Sequence, residues 1–394
     1  MAADKGKQTM VHLSGLRFLM ALWIVVGHYA PISTVTCRSF VAVSVFIVMS
    51  GFVTHLAYGE RLLSGALTLK QYLIRRLAPI VLTTWVAMLL SVFILMQLGE
   101  PDWAPGLLPT CSCFLFIRHW LTPSGWCPSP PSWTIEALVP CWVLYPLMRR
   151  AAARTEAKWG VPGLLAGGFL LWIVSFGPML ALYFYQGNGI TWDQHAVFFF
   201  WPPCQLSDFA IGVFCAAAFS RRAQPPLLEL NDQAVQTRSW LQPAGVLSDA
   251  AFIFFASVVF FLPQKGADCQ EGLTLLFDHA FAPVIALYLY SSGTNAGVSG
   301  KLLSHPALVV LGNYSFEIYL FQWSFNTVFK EMFGVPDFLG VQGFVTMVLC
   351  LVIFSGLYVE WVAPPMVKWA LSFAEKPPEL KPQVGTSYAA VATK

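Results

Sequence analysis

Residues 13–31 read LSGLRFLMALWIVVGHYAP, nineteen residues with only two ionisable side chains, Arg17 and His28. Lipid offers no partner for a loose backbone N–H or C=O, so about 20 mostly apolar residues in a row form a spanning helix. The rest of the chain repeats this pattern. Apolar residues make up 57% of the 394 and charged ones 11%, against about 45–50% and about 25% in soluble domains. So little charge cannot cover a soluble protein of this size. The sequence predicts an all-α, polytopic transmembrane bundle of about ten helices. They fall at roughly 13–31, 39–58, 77–98, 133–148, 161–184, 196–219, 245–263, 273–292, 306–326 and 339–363. Pro140 is expected to kink the short fourth span. Residues 112–121 are too short to cross and are placed in an outer loop or at the interface. The corresponding domain plan is a cytosolic segment 1–12, a transmembrane domain 13–371 and a cytosolic tail 372–394.

Charge orients the bundle. With the N-terminus inside, 18 of the 23 Lys and Arg residues fall on the inner side, and only Arg38, Arg118, Lys265 and Lys330 on the outer side. Cytoplasmic loops carry such an excess, and an odd helix count would scramble it. Both termini are therefore expected inside. The start of the chain lacks the basic stretch, short apolar run and cleavage site of a secretory signal, so the first apolar segment is expected to remain as a helix. Cys37, Cys111, Cys113, Cys127 and Cys269 all fall in outer loops, which suggests an oxidising compartment with one or two disulfides. Pairing is not legible in the sequence. The net charge of +3 is too small and scattered for nucleic-acid binding.

Ionisable groups inside spans are costly, so each invites a functional reading. Eleven residues at 1.5 Å place Arg17 and His28 about 16 Å apart along the first helix. Arg17 then sits near the inner surface and His28 toward the outer one. The plainer reading is a snorkelling arginine and an interfacial histidine. Glu136, in SWTIEALVP, is expected level with His28. Asp208 lies mid-span, and Asp278 and His279 open the eighth span on the outer side. Asn313, Glu317 and Gln322 run along the ninth, where Asn313 and Glu317, four apart, share a helix face. Such groups also serve simply to pair with one another inside a bundle.

These residues resemble the membrane acyltransferase-3 family. Leu13-Ser14-Gly15-Leu16-Arg17, followed by His28, is similar to that family's first helix, with its Arg and His at this spacing. Val45-Phe46-Ile47-Val48-Met49-Ser50-Gly51-Phe52 resembles its second-helix element. Tyr72-Leu73-Ile74-Arg75-Arg76-Leu77-Ala78-Pro79 resembles the basic motif of its third. Ser132-Trp133-Thr134-Ile135-Glu136 resembles its Trp–Glu element, one residue shorter. Asp208-Phe209-Ala210-Ile211-Gly212 and Gly312-Asn313-Tyr314-Ser315-Phe316 are similar to its later helices. The order of the elements holds across nearly the whole chain. Two positions depart: Pro79 stands where a second motif arginine is usual, and Gln322 where the ninth helix often ends near a His.

The resemblance implies an O-acyltransferase that takes an acyl group, most often acetyl, from cytosolic acyl-CoA and places it on a hydroxyl of a carbohydrate, lipid or secondary metabolite. Acyl-CoA is then a co-substrate, with no permanently bound cofactor and no metal. Arg17, Arg75 and Arg76 are the expected contacts of the CoA phosphates, since a guanidinium forks onto phosphate in a way an ammonium does not. Ordinary inside-positive charge is the competing account of Arg75 and Arg76. His28 is the expected base for the acceptor hydroxyl, or a nucleophile through an acyl-imidazole. Glu136 is expected to orient the His28 imidazole. Trp120, Trp126, Trp133, Trp192 and Trp201 either stack an acceptor sugar or form an interfacial belt. Two rival readings stand beside this one. A multi-pass transporter shows internal repeats, and residues 1–190 do not convincingly resemble 191–394. A catalytically inactive, binding-only relative is kept open by Pro79.

Overall fold

The computed structural model describes residues 10–30, 39–98, 106–122, 125–186, 192–222, 243–261, 277–293, 297–334 and 339–374. The expectations for Cys37, Cys269, the Asp278 and Trp192 side chains and most of both terminal segments lie outside these residues. Among the described residues, every regular element is helical. Helix α1 spans His12–Tyr29, α2 Phe40–Leu63 and α3 Leu69–Leu98. Two short helices follow, α4 Leu107–Phe114 and α5 Arg118–Leu121, and then the long α6, Trp133–Ser175. Next come α7 Gly177–Gln186, α8 Trp192–Phe200, α9 Leu206–Arg222, α10 Pro243–Phe261, α11 Phe277–Ala280 and α12 Ala282–Ser292. The last are α13 Val298–Leu303, α14 Pro306–Asn313, α15 Ser315–Phe333, α16 Val341–Leu357 and α17 Ala363–Leu371.

Among the described residues, five helical stretches are long and apolar enough to cross a membrane: Phe40–Leu63, Leu69–Leu98, Pro130–Tyr185, Pro202–Arg221 and Val341–Leu371. Helix α16 shows what surrounds them. Its Gly343, Met347, Leu351 and Ser355 are buried in the protein. A second row, Val345, Leu349, Ile353 and Leu357, is 48–62% exposed. Both rows repeat every four residues, so they are opposite faces of one helix. A helix apolar all round with one face outside the protein is solvated by hydrocarbon rather than water. This is a membrane protein.

Two expectations about helix ends need correcting. The fourth span was expected to end near residue 148, yet its helix runs on to Gly160 before the fifth begins. The intervening RRAAARTEAKW is rich in Ala, Arg, Glu and Lys, all good helix formers, so the helix continues past the apolar segment. Helical geometry breaks at Gly160, with φ +62°, which keeps the fourth and fifth spans separate as expected. Glu156 on this extension pairs with Arg221 at the end of α9. The ninth expected span is in turn interrupted at Tyr314, between α14 and α15. Asn313 and Glu317 therefore do not share an environment: the first is exposed and the second buried.

The centre of the bundle is α9, packed against α2 and α6. Glycine makes that packing close. A Cβ at Gly51 would collide with the Phe209 carbonyl, and one at Gly212 with the Val48 carbonyl. Small residues let membrane helices approach backbone to backbone. Helix α1 lies against α14, α15 and α2. Its Arg17 and His28 consequently face two different ends of the same helical neighbourhood.

Candidate active site

At the Arg17 end, α1 and α3 each contribute a guanidinium. Arg17 donates to the Gly312 carbonyl at 2.7 Å and lies within electrostatic range of Glu317. Arg76 donates to Ser50 Oγ at 2.9 Å and lies 4.7 Å over the Trp142 ring, a cation–π arrangement. Trp142 Nε1 donates to the same Ser50 oxygen at 3.1 Å. One serine of the second-helix motif thus holds both members of the stack. Arg17 and Arg76 are themselves close enough to feel each other's charge. The Nε of each is buried without a hydrogen-bond partner among the described residues. Two like charges with spare buried donors suit an anion, because an uncompensated buried donor is costly. Arg75 is half-buried and makes no hydrogen bond or ion pair among the described residues. Consecutive helical residues diverge, so it does not join Arg76.

An aromatic and basic layer extends from Arg76. Tyr72 Oη donates to the Trp142 carbonyl at 2.9 Å, and its ring meets Tyr58 and Tyr145. Tyr145 Oη and His55 Nδ1 are 3.2 Å apart. Arg149 has a buried Nε without a partner among the described residues. Sequence reasoning counted Arg149 only as inside-positive charge and missed Ser50 and Trp142 as partners of Arg76. The motif Ser50-Gly51 was the available signal.

At the other end, His28 Nδ1 lies 3.4 Å from Gln322 Oε1 on α15. Gln322 Nε2 donates to the Tyr319 carbonyl at 2.8 Å, which leaves its oxygen for the histidine. A carbonyl oxygen only accepts, so Nδ1 carries the proton and Nε2 is the free acceptor of the neutral ring. His28 is exposed, while Ile24, Val25 and Ala30 around it are buried.

Glu136 is placed differently from expectation. Its Oε1 accepts from the His119 backbone N–H at 2.7 Å and its Oε2 pairs with His119 Nδ1 at 2.8 Å. Both carboxylate oxygens thus bind one residue, and the hydrogen-bond partner of His28 among the described residues is Gln322. The reason lies in the loop between α3 and α6. A Cys113–Cys127 disulfide closes it, which folds α5 and its His119 onto the first turn of α6. Cys111 is a free, exposed thiol. The Phe200 ring packs on His119 and on Trp133, so Trp133 serves internal packing. His119 escaped the sequence reading because it sits in a short apolar loop segment. Asp208 Oδ1 likewise pairs with His279 Nδ1 at 3.0 Å, both buried, which ties α9 to α11.

The arrangement is thus a pair of arginines at one end of α1 and an accessible imidazole at the other, carried by the motifs of the first, second and third helices. A family model described as an acyltransferase domain, of the acyltransferase-3 family, matches residues 11–361. The chain belongs to the acyltransferase-3 family. It is 22% identical over 393 residues to a "Putative O-acetyltransferase" of Staphylococcus aureus strain MSSA476, and equally to one of strain MW2. Each alignment covers 96% of this chain and 61% of the relative, so the chain spans about three-fifths of those proteins. It is 25% identical over 341 residues to the acyltransferase MdmB of Streptomyces mycarofaciens, covering 78% of this chain and 76% of that one. No solved structure matches it. Within the acyltransferase-3 family, Arg17, Arg76 and His28 occupy the motif positions described above, and Pro79 is accommodated inside α3 without ending the helix.

Proposed function

We propose that this membrane protein transfers an acyl group, acetyl in the first instance, from acyl-CoA on the cytosolic side to a hydroxyl acceptor. In this reading the chain crosses the bilayer about ten times with both termini inside, which puts the Arg17 and Arg76 end at the cytosol. The observation that carries it is the division of labour along α1. Arg17, with Arg76 beside it, offers unpaired donors. His28, about 16 Å further along the helix axis, offers a free Nε2. The donor's phosphates bind the arginines in charge-assisted hydrogen bonds, and the pantetheine arm carries the thioester toward His28. Family membership and the O-acetyltransferase and acyltransferase names of the relatives support the reaction class.

In the chemical step, the acceptor O–H proton moves to His28 Nε2 as the oxygen attacks the thioester carbonyl. The new C–O bond forms, the C–S bond breaks, and the thiolate leaves with the proton returned by His28. Gln322 holds the ring in the tautomer this requires. Arg75 is assigned a peripheral share in donor binding, since it does not converge with Arg76. Glu136 acts at a distance from His28, by fixing the loop that carries His119.

The test is to incubate the purified protein in liposomes with acyl-labelled acetyl-CoA and a panel of sugar, glycerolipid and aromatic-alcohol acceptors. The reading predicts labelled, alkali-labile ester on an acceptor together with free CoA. Unmodified acceptor carried across the membrane without ester formation would support a transporter instead.

A further inference from the structure

Three donor groups meet where the α3–α6 loop touches α6, and a fourth is bonded to one of them. The ligand atoms of His119, Cys127 and Glu136 all lie within 4.8 Å of one another, and all three residues are buried. Cys113 is bonded to Cys127, so its sulfur adjoins this group. In the disulfide form both sulfurs are spent. Reduced, the site holds two thiols, an imidazole and a carboxylate.

We propose that the thiol form of this loop is a zinc site, with Cys113, Cys127, His119 and Glu136 as its four ligands. The chemistry of the donor set selects the metal: thiolate and imidazole with one carboxylate suit tetrahedral Zn²⁺ and disfavour Ca²⁺ or Mg²⁺. Zinc–ligand bonds of about 2.0–2.3 Å put neighbouring ligands about 3.3–3.8 Å apart. A spread of no more than 4.8 Å among His119, Cys127 and Glu136 therefore needs only a small contraction, with the Cys113 sulfur moving in beside Cys127 once the bond between them is cut. Burial of all the ligands makes the site a closed, structural one. A dithiol or phosphine reductant supplies two electrons and is itself oxidised. The S–S bond breaks, two thiols form, and Zn²⁺ then displaces their two protons. Metal and disulfide are thus alternative clamps for the same loop, each pinning His119 and Glu136 at the start of α6. Which clamp is present depends on the redox state of the surrounding compartment. The inference does not rest on the acyltransfer reading.

The experiment uses the full-length protein in detergent, reduced with a phosphine, freed of metal and titrated with Co²⁺ as the probe. The expected result is one Co²⁺ per chain, with a thiolate-to-cobalt charge-transfer band and the visible bands of four-coordinate cobalt. The unreduced protein should show neither. His119→Ala and Glu136→Gln should each weaken binding at least about tenfold, while Cys111→Ser should leave it unchanged. Where a variant does not fold, the wild-type chain still decides. Bound Zn²⁺ should slow alkylation of Cys113 and Cys127, read peptide by peptide, and leave Cys111 reactive. Absence of the charge-transfer band in the reduced protein, its persistence in His119→Ala, or equal alkylation with and without Zn²⁺ would each overturn the proposal.

Discussion

Glu136 binds His119 twice, through the backbone amide at 2.7 Å and through Nδ1 at 2.8 Å, with both residues buried. The two contacts are unequal in what they protect. Glu136→Ala strands a buried amide and a buried imidazole, and removing one partner of a buried pair costs about 3–5 kcal/mol. Glu136→Gln keeps an acceptor for the amide and should cost about 1–2 kcal/mol. Thermal unfolding of the purified variants checks the order. Equal midpoints for both would show that the pair does not hold the loop.

Ser50 is the shared acceptor for Arg76 and Trp142. Ser50→Ala leaves two buried donors unpaired and should raise the KM for acetyl-CoA several-fold, with the acceptor KM little changed. Arg76→Ala should raise it further, and Arg76→Lys should recover only part, because an ammonium does not form the bidentate contact. Donor saturation curves measure all three. An unchanged donor KM in Arg76→Ala would reduce Arg76 to inside-positive charge.

Gln322 presents its oxygen to His28 because Tyr319 holds its amide nitrogen. Gln322→Leu removes the partner of Nδ1 and frees the ring to rotate and change tautomer. The expected effect is a fall in kcat of about tenfold with the donor KM unchanged, since removing an orienting hydrogen bond costs about 1–2 kcal/mol. A purely structural role would lower the unfolding temperature without this split.

Much of this was legible in the sequence, and what was missed has physical causes. Apolar run length found the all-α, membrane-spanning class, because the bilayer imposes it. The extension of the fourth helix past residue 148 was missed because a charged but helix-forming linker looks like a loop when only hydropathy is weighed. Arg17 and His28 were singled out because an ionisable group stands out in an apolar run, and Arg76 by its place in the basic motif before the third span. Their partners Ser50, Gln322 and Trp142 come from other helices, and no local pattern announces a hydrogen bond across 26 or 294 residues. The contact of Glu136 with His119 escaped the sequence for a related reason. A disulfide-closed loop delivers His119 to it, and disulfide pairing is not encoded locally.

Topology makes a separate prediction. Cysteines introduced at positions 65, 154 and 230 should react only with reagents that reach the cytosolic side, as the charge distribution of 18 against 4 requires. Thiol labelling in sealed vesicles of known orientation measures this. Labelling of position 154 from outside would reverse the placement of the arginine pair.

The central claim is that His28 takes the acceptor proton, and the transfer rate of His28→Ala tests it most directly. The account predicts a fall of about 10²- to 10⁴-fold, with membrane insertion intact because an ionisable group has been removed from a span. His28→Gln should be nearly as inactive, since it keeps a hydrogen-bonding group but no base. A His28→Ala protein that inserts normally and transfers at the wild-type rate would contradict the account.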